Sequence, residues 1–188
     1  MSKKMYKYLV ITLFLIGTTL LAKPSYFYLK GYAAQKLLES TWIKTKNKNQ
    51  TFYPWPGAKS YPIGKISINK VDLSYIILGG EMNQALNFGI AHISDTSKPG
   101  NNGNIGLAGH RDSFFKKLEK VHEGDIIEIE YLKGAREYKV TDIQIISPHE
   151  MHWLDQTNDN CLTLITCYPF DYIGEAPMRY LIRAKEIV

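Results

Sequence analysis

Cysteine is scarce in this chain: only Cys161 and Cys167 occur among its 188 residues. Each is therefore the only intramolecular disulfide partner available to the other. If residues 161 to 167 form one extended strand, the two Cα atoms lie ~20 Å apart, whereas a disulfide tolerates no more than ~7 Å. The sequence predicts that Cys161 belongs to the core and that Cys167 carries a free thiol.

Acidic residues are nearly absent from the first fifty positions. Residues 1–50 hold nine Lys and one Glu, a net charge of +8, while residues 51–188 hold 14 basic and 17 acidic residues, a net charge of −3. The total of +5 therefore belongs to the start of the chain. The remainder has no basic stripe that would neutralise phosphates, so nucleic acid is excluded as a partner.

A long apolar run is also missing. Three lysines precede the uncharged stretch from Tyr8 to Ala22, which has fifteen residues, whereas a membrane span needs ~20. Snorkelling of Lys23 and an aromatic segment ending at Leu29 extend the predicted span. An uncleaved anchor is favoured over a signal peptide, because Leu20 fits a cleavage site poorly. The positive-inside rule predicts a single-pass protein of the cell membrane, with a cytoplasmic N-terminus and an extracellular domain.

Composition divides the chain into three parts. Residues 1–29 form the cytoplasmic tip and the membrane anchor. Residues 30–50 are predicted as a juxtamembrane helix and a linker, because apolar residues recur at helical spacing up to Ile43 and none occurs from Lys44 to Thr51. Residues 51–188 are the folded domain.

Alternation of apolar and polar residues dominates the folded domain. The predicted strands cover Ile66–Ile68, Leu73–Leu78, Ile105–Ala108, Ile127–Tyr131, Arg136–Ile146 and the two runs around residues 163 and 180. Short helices are predicted over Glu81–Leu86 and from a cap at Asp112 to Leu118, and residues 89–103 are predicted as loop. A tally of about seven or eight strands indicates a mostly-β barrel or sandwich.

The stretch from Thr163 to Cys167 predicts a strand that ends in a thiol. Its residues are apolar or β-branched, and Pro169 lacks the N–H needed to continue a central ladder. An isolated thiol with a pKa of about 8.5 is mostly protonated at neutral pH, so a nucleophilic role needs a base or a cation nearby. His110, which lies among small residues, and Arg179 are the two candidates.

Arg179 opens a second apolar run twelve positions after Cys167. If the two runs are neighbouring antiparallel strands, the loop from Tyr168 to Met178 folds back and returns Arg179 to about one strand spacing (~5 Å) from Cys167. Arg183 points to the same face but lies ~13 Å farther along the strand.

These motifs resemble those of the sortases, cysteine transpeptidases of Gram-positive cell surfaces. The family signature Thr-Leu-x-Thr-Cys is matched at residues 163–167. Gly-His-Arg-Asp at 109–112, Cys-Tyr-Pro-Phe at 167–170 and Ala-Pro-x-Arg at 176–179 resemble class D most. The likeness runs from Pro54 to the end of the chain, and it implies an eight-stranded β-barrel with short helices behind an N-terminal transmembrane helix.

The resemblance also implies a reaction. Cys167, His110 and Arg179 are the expected catalytic residues, and Thr166 is an expected substrate contact beside the nucleophile. Sortases cleave an LPXTG-like sorting signal between Thr and the next residue. They transfer the thioacyl intermediate to an amine of a cell wall precursor or a pilin. No cofactor is expected.

The remaining histidines carry weaker signals. His149 and His152 have the spacing of a helical metal site, but their surroundings offer no clear third ligand, so no metal is predicted. His92 is interpreted as a packed residue rather than a second site residue.

Three other functions compete with the transpeptidase hypothesis. An exported Cys–His peptidase is the main alternative, although the papain-like order places Cys before His and here His110 precedes Cys167. An L,D-transpeptidase is disfavoured because its Cys normally follows Ser-x-Gly. A non-enzymatic anchored β-domain would hold Cys167 as a structural thiol.

Overall fold

Alternating apolar residues build eight strands that close into a barrel in the computed structural model, which describes residues 3–187. The helices are α1 (Lys3–Lys48) and α2 (Met82–Phe88), with 3₁₀ turns at Asn69–Val71, Lys116–Lys120 and His152–Leu154. The strands are β1 (Ser60–Ile68), β2 (Leu73–Gly80), β3 (Ile90–His92), β4 (Asn104–Ala108), β5 (Ile126–Tyr131), β6 (Gly134–Ile146), β7 (Cys161–Tyr168) and β8 (Met178–Ile187). The predicted mostly-β, eight-stranded barrel with short helices is confirmed.

The strand order around the barrel is β1-β2-β3-β4-β7-β8-β6-β5, and β5 pairs with β1 to close it. Only two pairs, β2–β3 and β4–β7, are parallel among the described residues. Parallel strands end at the same edge of a sheet, so the residues that follow β4 and β7 meet at one end of the barrel.

The barrel interior is filled by one face of each strand. Side chains two apart along a strand share a face, and the inward positions are apolar in every long strand. Buried members of this core include Ile66, Ile68, Leu73, Ile77, Ile105, Leu107, Ile127, Ile129, Val140, Leu162, Leu164 and Ile182. The inward face is thereby occupied, which leaves the outward face of the wall for ligands.

Two sequence predictions for residues 89–118 differ from the structure. The segment from 89 to 103 contains β3, which is too short to give a periodic signal. Asp112 does not cap a helix: the 3₁₀ turn begins after Phe115 and has no side-chain cap. The backbone N–H of Phe115 instead bonds the carbonyl of His110 at 2.9 Å, so a turn replaces the predicted first helical turn.

The chain separates into two units, one ending at Lys36 and one beginning at Leu37. In the first unit, the segment Tyr6–Lys23 of α1 is long and apolar enough to cross a membrane, and none of it is buried. This segment agrees with the predicted N-terminal apolar helix.

In the second unit, the end of α1 packs on the outward side of the barrel. Leu38 and Trp42 are 0% and 3% exposed, and they join a cluster with Ile76, Leu78 and Ala91. The helix continues to Lys48, into the segment predicted as linker. Tertiary packing of one helix face explains the extension, because such packing outweighs the weak helical preference of a polar segment.

Glu130 of β5 adds a polar contact to this packing. Trp42 Nε1 donates to one carboxylate oxygen at 3.4 Å, and Lys46 forms an ion pair with the other. Burial by itself raises the pKa of Glu130, but the hydrogen bonds from Lys46 and Trp42 outweigh burial and hold the pKa below its ordinary value. The contact therefore stabilises the fold above pH 4.5 and is lost as the pH falls through the lowered pKa.

The predicted boundary at residue 51 stays a prediction, and the helix end gives it a test. A chain beginning at residue 51 is expected to fold but to unfold at a lower temperature than one beginning at residue 37. Burial of Leu38 and Trp42 contributes roughly 3 to 5 kcal/mol. That loss corresponds to a decrease in Tm of roughly 10 °C for a domain of this size, measured by circular dichroism.

A matched pair of substitutions in the longer chain separates packing from length. Leu38→Ala should lower Tm because Leu38 is fully buried, whereas Ile43→Ala should leave it unchanged because Ile43 is 55% exposed. Equal Tm values for the two truncated chains would show that the packed helix end adds no stability.

Candidate active site

The parallel pairing of β4 with β7 brings the chain that leads to His110 beside the end of β7. Asn104 pairs with Cys161 and Ala108 with Ile165, a constant offset of 57 positions. The N–H of Gly109 donates to the Ile165 carbonyl at 3.3 Å, so the ladder continues past the end of β4. Continued one residue beyond Gly109, the same offset would set His110 level with Cys167 on the neighbouring strand. His110 itself is exposed.

The antiparallel pairing of β7 with β8 places Arg179 on the other side of Cys167. The two residues are direct Cα partners, so their side chains share a face and their Cα atoms are ~4.5–5.5 Å apart. The predicted hairpin geometry is therefore confirmed. The connecting loop covers residues 169–177, shorter than the predicted one because each strand extends one residue farther.

Cys167 lies on the outward face of the barrel wall. Leu162 and Leu164 of β7 point into the core, so Cys167, at an odd position of the same strand, points away from it. Cys167 is half-buried, while Cys161 is 1% exposed, and both thiols are free. Cys161 also occupies an odd position but is covered there, so the prediction that it is buried is confirmed.

The guanidinium of Arg179 is held at one end. Its Nη1 donates to the carbonyls of Ala176 and Met178 at 3.2 and 3.0 Å. Nε and Nη2 have no hydrogen-bond partner among the described residues, so they are available to a ligand beside Cys167.

Thr166 binds the backbone that leads to His110. It is 3% exposed, and its hydroxyl donates to the carbonyl of Gly109 at 2.7 Å. The hydroxyl is thus committed within the protein, and a substrate contact by Thr166 through its backbone stays a prediction. The small residue at Gly109 is required because a Cβ there would lie 2.8 Å from the ring of Phe115.

Asn104, which the sequence analysis did not single out, fixes the loop between β6 and β7 over the outward face. Its buried amide donates to the carbonyls of Trp153 and Asp155 at 2.8 and 3.1 Å and accepts from the Thr163 hydroxyl at 2.8 Å. Every polar atom of this amide is used, so the network orders the loop. A buried amide leaves no periodic signal in a sequence.

His92 is a structural residue. It is 5% exposed, and its Nε2 lies 2.9 Å from the Ser97 carbonyl and 3.3 Å from Thr96 Oγ1. Burial lowers the pKa of His92, which favours the neutral ring. These contacts hold the loop between β3 and β4.

The described residues contain no group of three His, Cys, Asp or Glu side chains that would hold a metal ion. His149 and His152 are both exposed, and the ring of His152 lies against Trp153 at 4.7 Å. The prediction that neither metal nor cofactor is needed stays a prediction.

Comparison with known proteins agrees with this geometry. A family model described as the Sortase domain matches residues 66–187. Sortase D of Bacillus subtilis (strain 168) is 32% identical over 161 residues, covering 82% of this chain and 79% of its own. Sortase A of Listeria monocytogenes is 28% identical over 179 residues, covering 85% of this chain and 80% of its own.

Solved structures show the same fold. A Sortase D5 transpeptidase of Clostridium perfringens superposes with a TM-score of 0.69 at 26% identity, covering 83% of this chain and 99% of its own. The barrel, the pairing of Cys167 with Arg179 and these matches lead to one conclusion. The chain belongs to the sortase family of cysteine transpeptidases and is most like class D.

Proposed function

We propose that Cys167 is the nucleophile, His110 the general acid and Arg179 the donor to the carbonyl oxygen. The observation that carries this assignment is the direct pairing of Cys167 on β7 with Arg179 on β8. The parallel pairing of β4 with β7, continued past Gly109, supports the role of His110. Cys167 and Arg179 lie on the outward face at the end of the barrel where β4 and β7 both end.

The chemistry follows from this placement. The Cys167 thiolate attacks a peptide carbonyl, and the free N–H groups of Arg179 stabilise the charge that develops on its oxygen. The C–N bond breaks as His110 gives its proton to the leaving amine, which leaves a thioester on Cys167. An incoming amine then attacks the thioester, loses a proton to His110 and releases the thiolate.

The substrate carbonyl would lie at the end of β7, between Cys167 and the free N–H groups of Arg179. The substrate is an LPXTG-like sorting signal of a secreted surface protein, cleaved between Thr and the next residue. The acceptor is an amine such as that of a peptidoglycan precursor or a pilin lysine. Membership of the sortase family supports both assignments.

The N-terminal helix anchors the enzyme in the cell membrane. Tyr6–Lys23 is the spanning segment, and the lysines that precede Tyr8 keep the N-terminus cytoplasmic by the positive-inside rule. The barrel is then extracellular, where sorting signals and wall precursors meet.

Added amine tests whether the enzyme is a transferase. The full chain in detergent is expected to convert an LPXTG peptide, labelled at its N-terminus, into a new amide when a glycine peptide, a wall stem peptide or Nα-acetyl-lysine is present. Mass spectrometry distinguishes the amide from the hydrolysed acid. Formation of the acid alone with every amine would favour an exported Cys–His peptidase.

A further inference from the structure

Arg111 connects the residues after His110 to the loop between Cys167 and Arg179. Its Nη2 donates to the carbonyls of Tyr172 and Gly174 at 2.6 and 2.9 Å. The guanidinium carbon also lies 5.9 Å from the centre of the Tyr172 ring. One side chain thus makes two charge-assisted hydrogen bonds and a cation–π contact to a single loop.

This loop has few other attachments. Residues 171–175 are all exposed, and Ile173 is 97% exposed. Among the described residues, Arg111 donates the only hydrogen bonds that reach residues 171–175 from outside the loop. Segments with few buried contacts open at low free energy, so the loop conformation depends on Arg111.

The same loop orients Arg179. The Nη1 of Arg179 bonds the carbonyls of Ala176 and Met178, which follow directly after the part of the loop held by Arg111. Four carbonyls between residues 172 and 178 therefore bind two guanidinium groups. A shift of the loop moves the acceptors that fix Arg179.

We propose that Arg111 is a positioning residue for the transpeptidase reaction. It holds the loop 169–177 so that Nε and Nη2 of Arg179 face the carbonyl bound at Cys167. The role of Arg111 rests on the proposed role of Arg179, and it deepens that role: Arg111 does not touch the substrate and acts through the loop.

The primary test is Arg111→Gln in the full chain, with Arg136→Gln as the matched control. Arg136 also bonds a loop, at Asn101 O and Asn102 Oδ1 at 3.3 Å, and makes a cation–π contact to Tyr131 at 5.8 Å. It adds an ion pair with Glu186 at 3.3 Å, so its removal breaks at least as many contacts as removal of Arg111. Arg136 is far from the active site. Arg179 pairs with Ile146 of β6, and Arg136 lies ten positions from Ile146 on that strand, or roughly 30 Å. Arg111→Gln should lower kcat about 10- to 100-fold, while Arg136→Gln should keep wild-type kcat.

A double-mutant cycle separates a positioning role from general loosening. If Arg111 acts through the guanidinium of Arg179, adding Arg111→Gln to Arg179→Lys should reduce kcat little further. Losses that multiply in the double variant, or a wild-type kcat for Arg111→Gln, would overturn the proposal.

Limited proteolysis gives a readout that needs no activity. Chymotrypsin should cleave after Tyr172 about tenfold faster or more in Arg111→Gln than in wild type or Arg136→Gln, because the exposed loop opens more often. Unchanged cleavage in Arg111→Gln would show that Arg111 does not hold the loop. An inactive wild type would refute the proposed function, and the proteolysis would still decide whether Arg111 holds the loop.

Discussion

Cys167→Ala is expected to abolish cleavage of an LPXTG peptide, while Cys161→Ala keeps most of it. Of the two cysteines, only Cys167 lies at the end of β7 that is next to Arg179. Without a nucleophile no thioester forms. Loss of a nucleophile has reduced kcat by about 10⁶-fold where it was measured, so turnover should fall below detection. The measurement is release of the C-terminal fragment by the full chain in detergent.

Cys161→Ala controls for the loss of a thiol as such. Cys161 is on the same strand, is 1% exposed and pairs with Lys185 at the opposite end of β7 from Cys167. The substitution removes one buried atom and should lower stability by about 1 kcal/mol without changing turnover. A thiol reagent should inactivate the wild type through Cys167. Equal loss of activity in the two alanine variants would reject Cys167 as the nucleophile. If the wild type showed no cleavage that a thiol reagent inhibits, a non-enzymatic β-domain with a structural thiol would be favoured.

The pairing of Cys167 with Arg179 was predictable because both residues lie in neighbouring strands joined by one loop. Side chains alternate between the two faces of a strand, so the number of residues between Cys167 and Arg179 is enough to place them on one face. The placement of His110 is different. It depends on the parallel pairing of β4 with β7, whose connection includes β5 and β6, and a pairing of that range follows from the closure of the whole barrel rather than from a local pattern.

Contacts made through backbone carbonyls were the least predictable part of the site. Arg111 stands in the motif that carries His110, yet its partners are carbonyls of a distant loop, which have no sequence signature. The polar segment that begins at Lys44 was wrongly predicted as a linker. Its composition indicates a linker, but the packing of Trp42 and Lys46 on the barrel keeps it helical. In both cases, tertiary contacts outweigh the local signal.

Arg179→Lys is expected to be severely impaired although the charge is kept. One nitrogen of the guanidinium binds the carbonyls of Ala176 and Met178, and the other two are left to face a ligand. A planar fork can do both at once, whereas an ammonium is a single hydrated point that can serve only one side. Loss of one donor to a developing oxyanion costs on the order of 10²- to 10³-fold in kcat.

Arg183→Lys is the matched control for that substitution. Arg183 is on the same face of β8, opposite Thr163, four positions and ~13 Å from Arg179. Its guanidinium lies 5.8 Å from the centre of the Trp153 ring, a contact that an ammonium also makes. Turnover should therefore be nearly normal, and both variants should keep the wild-type Tm, which would assign the loss in Arg179→Lys to the chemistry. Wild-type kcat in Arg179→Lys, or greater damage in Arg183→Lys, would mean that the guanidinium beside Cys167 does not bind the reacting carbonyl.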